Sequence, residues 1–131
     1  YPISASKHKS GRCNMKLYIP VAKRPSPYDA PHNPLNIRLL RYAEVLLMYA
    51  EVENALNKDS EAQWALNQVR NRVHLSNVTS RGKDLRDAIR TERRLELALE
   101  GTRLDDIRRW KMDDGKTMME HLMGPNGTFV K

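Results

Sequence analysis

Residues 37–57 read IRLLRYAEVLLMYAEVENALN, and the periodicity of this run decides the fold class. At 100° per residue, Arg41, Glu44 and Glu51 gather in one sector near Met48, while most other directions are apolar or small. The pattern predicts a helix from Ile37 to about Asn57 that is buried on several sides. A second helix is predicted from Ser60, where Gln63 three residues on completes a capping box; Ala62, Ala65, Leu66, Val69 and Val73 form its apolar face. Only Lys58 and Asp59 lie between the two, a linker short enough to impose an antiparallel hairpin.

Upstream, six of the seven prolines (Pro2, Pro20, Pro25, Pro27, Pro31 and Pro34) fall in the first 34 residues, and neither Pro nor Gly occurs from Leu35 to Arg81. That boundary divides an extended arm with a Pro-rich loop, residues 1–36, from a helical domain, residues 37–131. Within the arm, residues 14–19 alternate in the manner of one short strand. Residues 20–34 read as a loop, because each proline removes a backbone donor and restricts its predecessor. A lone strand needs a partner, so residues 1–20 are expected either to pair outside this chain or to hug the helical body.

Downstream, a loop over 76–83 precedes a third helix, capped at Asp84 and running to Glu100, with Gly101 where a left-handed cap is expected. Thr102 and Asp105 make a second box and open a short fourth helix through Trp110. Residues 117–123 suit another turn or two of helix, and residues 124–127 form a turn. The expected class is all-α: a helical hairpin plus two or three further helices, behind an extended N-terminal arm.

The chain has 131 residues, about one domain's worth, and no stretch approaches the roughly 18 uninterrupted apolar residues of a membrane-spanning helix. Its net charge of +7 is uneven: residues 1–34 carry six Lys/Arg against one acid, residues 35–131 carry 17 against 15. A phosphate-tracking protein concentrates cations on its folded body, so this distribution weakens a nucleic-acid role. One cysteine, Cys13, excludes an internal disulfide and a Cys-cluster metal site. Histidines 8, 32, 74 and 121 form no helical ligand pair, and neither a nucleophile–base signature nor a Gly-rich phosphate loop occurs. No metal or other cofactor is expected. Asn77-Val78-Thr79 matches the glycosylation sequon, a triplet that arises often by chance.

The third helix contains a conflict of pattern. Leu85, Ala88, Ile89, Leu95 and Leu99 define its apolar stripe, and the same arithmetic puts Glu92 and Glu96 near the stripe's centre. An unpaired buried carboxylate loses several kcal/mol of solvation, so each must meet an arginine or titrate upward. Candidate partners are Arg38 and Arg41 on the first helix and Arg103, Arg108 and Arg109 on the fourth, with Arg103 on the side of Ile107 and Trp110. Paired carboxylates four residues apart could form a glycosidase-like acid/base site. The amount of arginine and the apolar surroundings favour a structural ion-pair network of Arg41, Glu92, Glu96 and Arg103 instead. Trp64 projects roughly opposite the second helix's stripe, where it either stacks a sugar or packs on a neighbouring element.

Four blocks then carry a resemblance: Arg41-Tyr42-Ala43-Glu44-Val45-Leu46-Leu47-Met48-Tyr49-Ala50-Glu51, Leu66-Asn67-Gln68-Val69-Arg70-Asn71-Arg72, the run from Ile89 to Arg103, and Asp106-Ile107-Arg108-Arg109-Trp110. Together, and in this order, they resemble the C-terminal region of the SusD/RagB family. The resemblance implies a surface-anchored lipoprotein of the outer membrane that captures glycans, or in some branches peptides, without catalysis. It also implies a SusC-type TonB-dependent transporter as partner and a scaffold of tetratricopeptide-like hairpins. Members are several hundred residues long and begin with a lipidated cysteine, so the chain is expected to be a fragment or a shortened relative. The matched motifs are scaffold motifs, and no binding residue is carried over. Two alternatives keep their place: a tetratricopeptide-like protein-interaction scaffold, and a basic helical nucleic-acid binder. A fragment stripped of neighbouring hairpins is also expected to self-associate.

Overall fold

A computed structural model describes residues 14–16, 18–27, 34–36 and 38–128. The chain divides into two compact units, residues 1–39 and 40–131. In the first, the described residues form one turn of 3-10 helix, Val21–Lys23, and otherwise irregular chain. The strand expected over 14–19 is not formed: Leu17 lies outside the described residues, and Tyr18 N–H donates to the Met15 carbonyl, closing a turn instead. Arg24 fixes the next segment by donating to the Ile19 carbonyl at 3.1 Å and lying over the Tyr18 ring.

The second unit carries five helices: α1 Tyr42–Ala55, α2 Asp59–Asn71, α3 Gly82–Glu96, α4 Arg103–Arg109 and α5 Met118–Met123. No strand occurs among the described residues, so the class is all-α. The three-residue link from Leu56 to Lys58 folds α2 back on α1, with Asn57 at φ 60° making the reversal. Fully buried Ala50, Ala62 and Ala65 let the two backbones approach, and Leu46, Leu47, Leu66 and Val69 fill the space around them. Leu85, Ile89 and Leu97 bring the α3 segment onto the same core. Truncating Leu66 or Leu47 here would cost about 2–5 kcal/mol by cavity formation.

Helix ends differ from the sequence expectation at several places. Residues 38–41 precede α1 rather than joining it, and the Arg41 carbonyl, on extended backbone, accepts the first helical bonds from Glu44 and Val45. Arg41 is committed elsewhere, because its guanidinium reaches the end of α3. The Ser60–Gln63 box does not form: α2 starts at Asp59, and Gln63 Nε2 donates instead to the Thr79 and Ser80 carbonyls. Asp59 ties that turn down by accepting from Asn54 Nδ2 and Gly82 N–H. Helix α3 begins at Gly82, ahead of Asp84, and ends at Glu96 rather than Glu100. Leu99 takes φ 67° and Gly101 φ 89°, so the chain reverses twice before α4. Leu95 and Leu99, expected on the apolar stripe, are 62% and 74% exposed, and the buried side of α3 is Leu85, Ile89, Glu92 and Arg93. Helix α5 carries the complete capping box, Thr117 with Glu120, that α2 and α4 lack.

Candidate functional site

A lattice of guanidinium–carboxylate pairs joins α1, α2, α3 and α4. Glu92, 5% exposed, accepts from Arg70 Nη1 at 2.6 Å, and Arg70 also holds the Ser76 carbonyl through Nε. Glu96 Oε1 takes Arg41 Nη1 at 2.7 Å and Arg72 Nη2 at 2.8 Å. Arg41 further bonds the Glu96 carbonyl and both oxygens of Glu100. The Glu100 hydrogen bond, assisted by Glu96, holds the Arg41 guanidinium above its ordinary value despite partial burial.

Deeper in the unit, Arg93 on α3 forks onto Asp106 on α4 through Nε at 3.2 Å and Nη2 at 3.0 Å. Both side chains are almost wholly enclosed. Arg109 closes the lattice, bonding Asp106 Oδ1 through Nη2 at 2.7 Å and clamping Glu51 on α1 with both terminal nitrogens. Glu51 also accepts from the indole Nε1 of Trp110 at 2.9 Å. The Glu51 bonds, with those of Asp106, raise Arg109 well above its ordinary value against the cost of burial. Three guanidiniums surround the Trp110 ring, from Arg90 at 5.2 Å and from Arg103 and Arg109 at 5.5 Å. Each is a cation–π contact of about 0.5–2 kcal/mol.

Among the described residues three clefts border this lattice: one of about 390 Å³ is lined by Arg41, Leu46, Gln68, Val69 and Arg72 among others, and two lie beside α4. The larger, about 500 Å³, lies between α1 and α4 and is lined by Glu44, Met48, Val52, Arg93, Asp105 and Arg109 among others. The smaller, about 200 Å³, is lined by Asp87, Arg90, Thr91, Arg94, Arg103, Trp110, Met112 and Met118. Neither Glu92 nor Glu96 lines any of the three. Each carboxylate is held in an ion pair, Glu92 through Oε2 and Glu96 through Oε1, which commits both to arginine rather than to proton transfer to a bound sugar.

The four residues expected to form one network are distributed as follows. Arg41 and Glu96 bond directly, and Glu92 is held by Arg70. Arg103 Nη2 donates to Met118 Sδ at 3.6 Å, and its guanidinium lies over the Trp110 ring. Sequence reasoning missed Arg70, Arg72, Glu51, Arg93 and Asp106. Arg93 and Asp106 carried a readable signal, since each falls on the buried face of a short amphipathic helix. Trp64 is 51% exposed and meets Tyr49 edge-to-face, centroids 6.4 Å apart at 87°. Cys13 lies outside the described residues. Among the described residues no group of three His, Cys, Asp or Glu is placed to hold a metal ion, and no helix is long and apolar enough to cross a membrane.

Comparison with known proteins gives one family and two relatives. The model of the SusD family matches residues 5–128. SusD-like protein P38 of Formosa agariphila is 43% identical over 82 residues, covering 55% of this chain and 16% of the relative. SusD-like protein P2 of the same organism is 38% identical over 98 residues, 67% of this chain and 18% of the relative. The chain thus spans less than a fifth of the length of these curated relatives. No solved structure matches it significantly.

Proposed function

The chain belongs to the SusD family, and from that membership we propose that it is the helical framework of a non-catalytic nutrient-capture protein at the outer-membrane surface. The captured nutrient is an oligosaccharide, and the recipient is a SusC-type TonB-dependent transporter. On this reading residues 1–36 are an extended arm and residues 37–131 the framework, whose α1–α2 pair is one tetratricopeptide-like hairpin. Arg41, Glu92 and Glu96 serve as structural clamps.

The observation that carries the non-catalytic part is the occupancy of Glu92 and Glu96. A general acid needs a carboxyl in an open cleft with a raised proton affinity; these two are enclosed and held by arginine at 2.6–2.8 Å. The test is incubation of the protein, in its outer-membrane setting, with a panel of polysaccharides while both retention and new reducing ends are followed. Retention without new reducing ends is expected. Reducing-end release abolished by Glu92→Gln or Glu96→Gln would overturn the reading.

A second reading, a protein-interaction scaffold with no glycan role, is favoured by one feature. Helix α1 presents Val45, Met48, Tyr49 and Val52 to solvent in a row suited to another helix. Transporter association without retention of any polysaccharide would support that reading over capture.

A further inference from the structure

Arginine is matched by carboxylate throughout the lattice except at the smaller cleft. There Arg90, Arg94 and Arg103 face a single acid, Asp87, which is already bonded to Arg86 Nε at 3.2 Å. Among the described residues Arg90 donates to the Lys111 carbonyl, at 3.1 Å, and its buried Nε has no hydrogen-bond partner. Among the described residues the hydrogen-bond partner of Arg103 is the thioether of Met118, a weak acceptor, and its guanidinium lies over the Trp110 ring. Arg94 is exposed and makes no ion pair among the described residues. Burial lowers the proton affinity of Arg90 by more than the fields of Asp87 and Glu51 restore it, and does the same at Arg103 against the field of Asp106; neither guanidinium has a carboxylate in hydrogen-bond contact among the described residues. By contrast Arg93 and Arg109, in the larger cleft, are each held by a carboxylate.

We propose that the cleft of Arg90, Arg94 and Arg103 is an oxyanion-binding site that takes the carboxylate or sulfate ester of an acidic saccharide. The geometry suits that chemistry. Guanidinium forks match planar or tetrahedral oxyanions in a way that single cations do not. Thr91 supplies a hydroxyl at the same cleft, although its Oγ1 already donates to the Asp87 carbonyl, so there it is an acceptor for a sugar hydroxyl. Met112, Met118 and the Trp110 indole give an apolar wall. A volume of about 200 Å³ equals that of roughly six waters, room for one sugar ring or its charged substituent. That the oxyanion is borne by a saccharide rests on the capture reading; the cleft itself rests on its arginines.

The test is titration calorimetry with four probes: sodium sulfate, an oligogalacturonate, a sulfated galactan oligosaccharide and a neutral malto-oligosaccharide of equal length. Both acidic saccharides, or one of them, should bind, and the neutral one should not. Arg94→Gln should weaken binding about tenfold, the loss of one charged hydrogen bond, while leaving the melting temperature unchanged because Arg94 is exposed and unpaired. Arg103→Lys, which keeps the charge and removes the fork, should weaken it as well. Arg81→Gln, an exposed arginine outside the cleft, removes the same charge and should change nothing. Equal weakening by Arg81→Gln and Arg94→Gln would overturn the site, since diffuse charge would then explain the affinity. So would tighter, Arg94-independent binding of duplex DNA. Sulfate binding that needs Arg94, with no saccharide bound, would uphold the oxyanion cleft and remove the capture reading. Arg94-independent binding of the neutral saccharide would do the reverse.

Discussion

Asp106 is the residue whose loss should be felt most. It is 2% exposed and accepts from Arg93 at 3.2 and 3.0 Å and from Arg109 at 3.2 and 2.7 Å. Asp106→Leu keeps the branching of the side chain, with methyls in place of the smaller oxygens, and removes every one of these acceptors. Arg109 retains Glu51, but Arg93, 4% exposed, is left with a carboxylate no nearer than 4.0 Å, one that Arg109 and Trp110 already occupy. A buried guanidinium stripped of its partner costs about 3–5 kcal/mol, against a domain stability of about 5–15 kcal/mol. For a unit of this size each kcal/mol is worth about 4–8 °C, so the melting temperature should fall by roughly 12 °C or more. The double variant Arg93→Met/Asp106→Leu removes both charges and should recover most of the loss, because an apolar pair of similar volume is about neutral relative to a buried ion pair. Urea and thermal unfolding followed by circular dichroism report both numbers. A single variant within about 1 kcal/mol of wild type, or a double no better than the single, would refute the argument that Arg93 depends on Asp106.

Glu96→Leu should destabilise by about 2 kcal/mol, since it removes an acceptor from Arg41 and Arg72, whereas Arg86→Leu, which loses contacts to exposed Asp113, should cost under about 1 kcal/mol; equal melting temperatures would contradict the clamp. On the acid side, Lys83 and then Arg86 hold the Asp113 carboxyl below its ordinary value of 3.8. A depressed folded value gives stability that is present above the ordinary value and fades as pH falls through the lower one. Asp113→Asn should therefore flatten the acid limb of the urea midpoint, and an unchanged limb would exclude the pair as its source. The exposed α1 row of Val45, Met48, Tyr49 and Val52 should make the chain self-associate, with sedimentation rising with concentration and Val45→Lys/Val52→Lys abolishing the rise; a monomer at every concentration in wild type would count against it.

The helices were legible in the sequence because burial repeats at helical spacing. Ala62, Ala65, Leu66 and Val69 are enclosed where the 100° pattern put them, whereas Val73, expected on the same face, lies beyond the end of α2 and is exposed; on α1 the burial expected on several sides narrows to Leu46, Leu47, Ala50 and Glu53, with Val45, Met48, Tyr49 and Val52 exposed. Their ends were not legible, and the reason is competition. Gln63 has two loop carbonyls within reach, so it abandons the cap, and that choice depends on where residues 79 and 80 return in space. The end of α3 shows the same limit, since nothing local forces Leu99 into left-handed backbone beside a Gly101 that could have ended the helix alone. The inward carboxylates of Glu92 and Glu96 were readable as a violation of pattern. Their partners were not: Arg70 and Arg72 lie on α2 and its C-terminal end, and which arginine answers a buried acid depends on how hairpins pack. The place of Arg103 over the Trp110 ring was equally beyond local pattern, since it depends on how α4 sits in the fold.

The polar lattice has a consequence for α4 that the apolar core does not. The core runs through α1, α2 and α3, while α4 contributes Ile107 and the following Trp110 outside that cluster. The joint of α4 to its neighbours is thus made chiefly by directional contacts: the Arg93–Asp106 fork, the Arg109–Glu51 clamp and the indole bond to Glu51. Hydrophobic contact tolerates sliding, whereas forked ion pairs accept only a narrow range of angles. An ion pair of this kind adds little net stability over a well-packed apolar pair, so what it contributes at α4 is orientation. That orientation sets the width of the α1–α4 cleft and, through Trp110, the spacing of Arg90 and Arg103 on the other side. Loosening Glu51, which lines the larger cleft, would therefore also disturb the smaller one, which it does not line, and this makes Glu51 a positioning residue for the unmatched arginines.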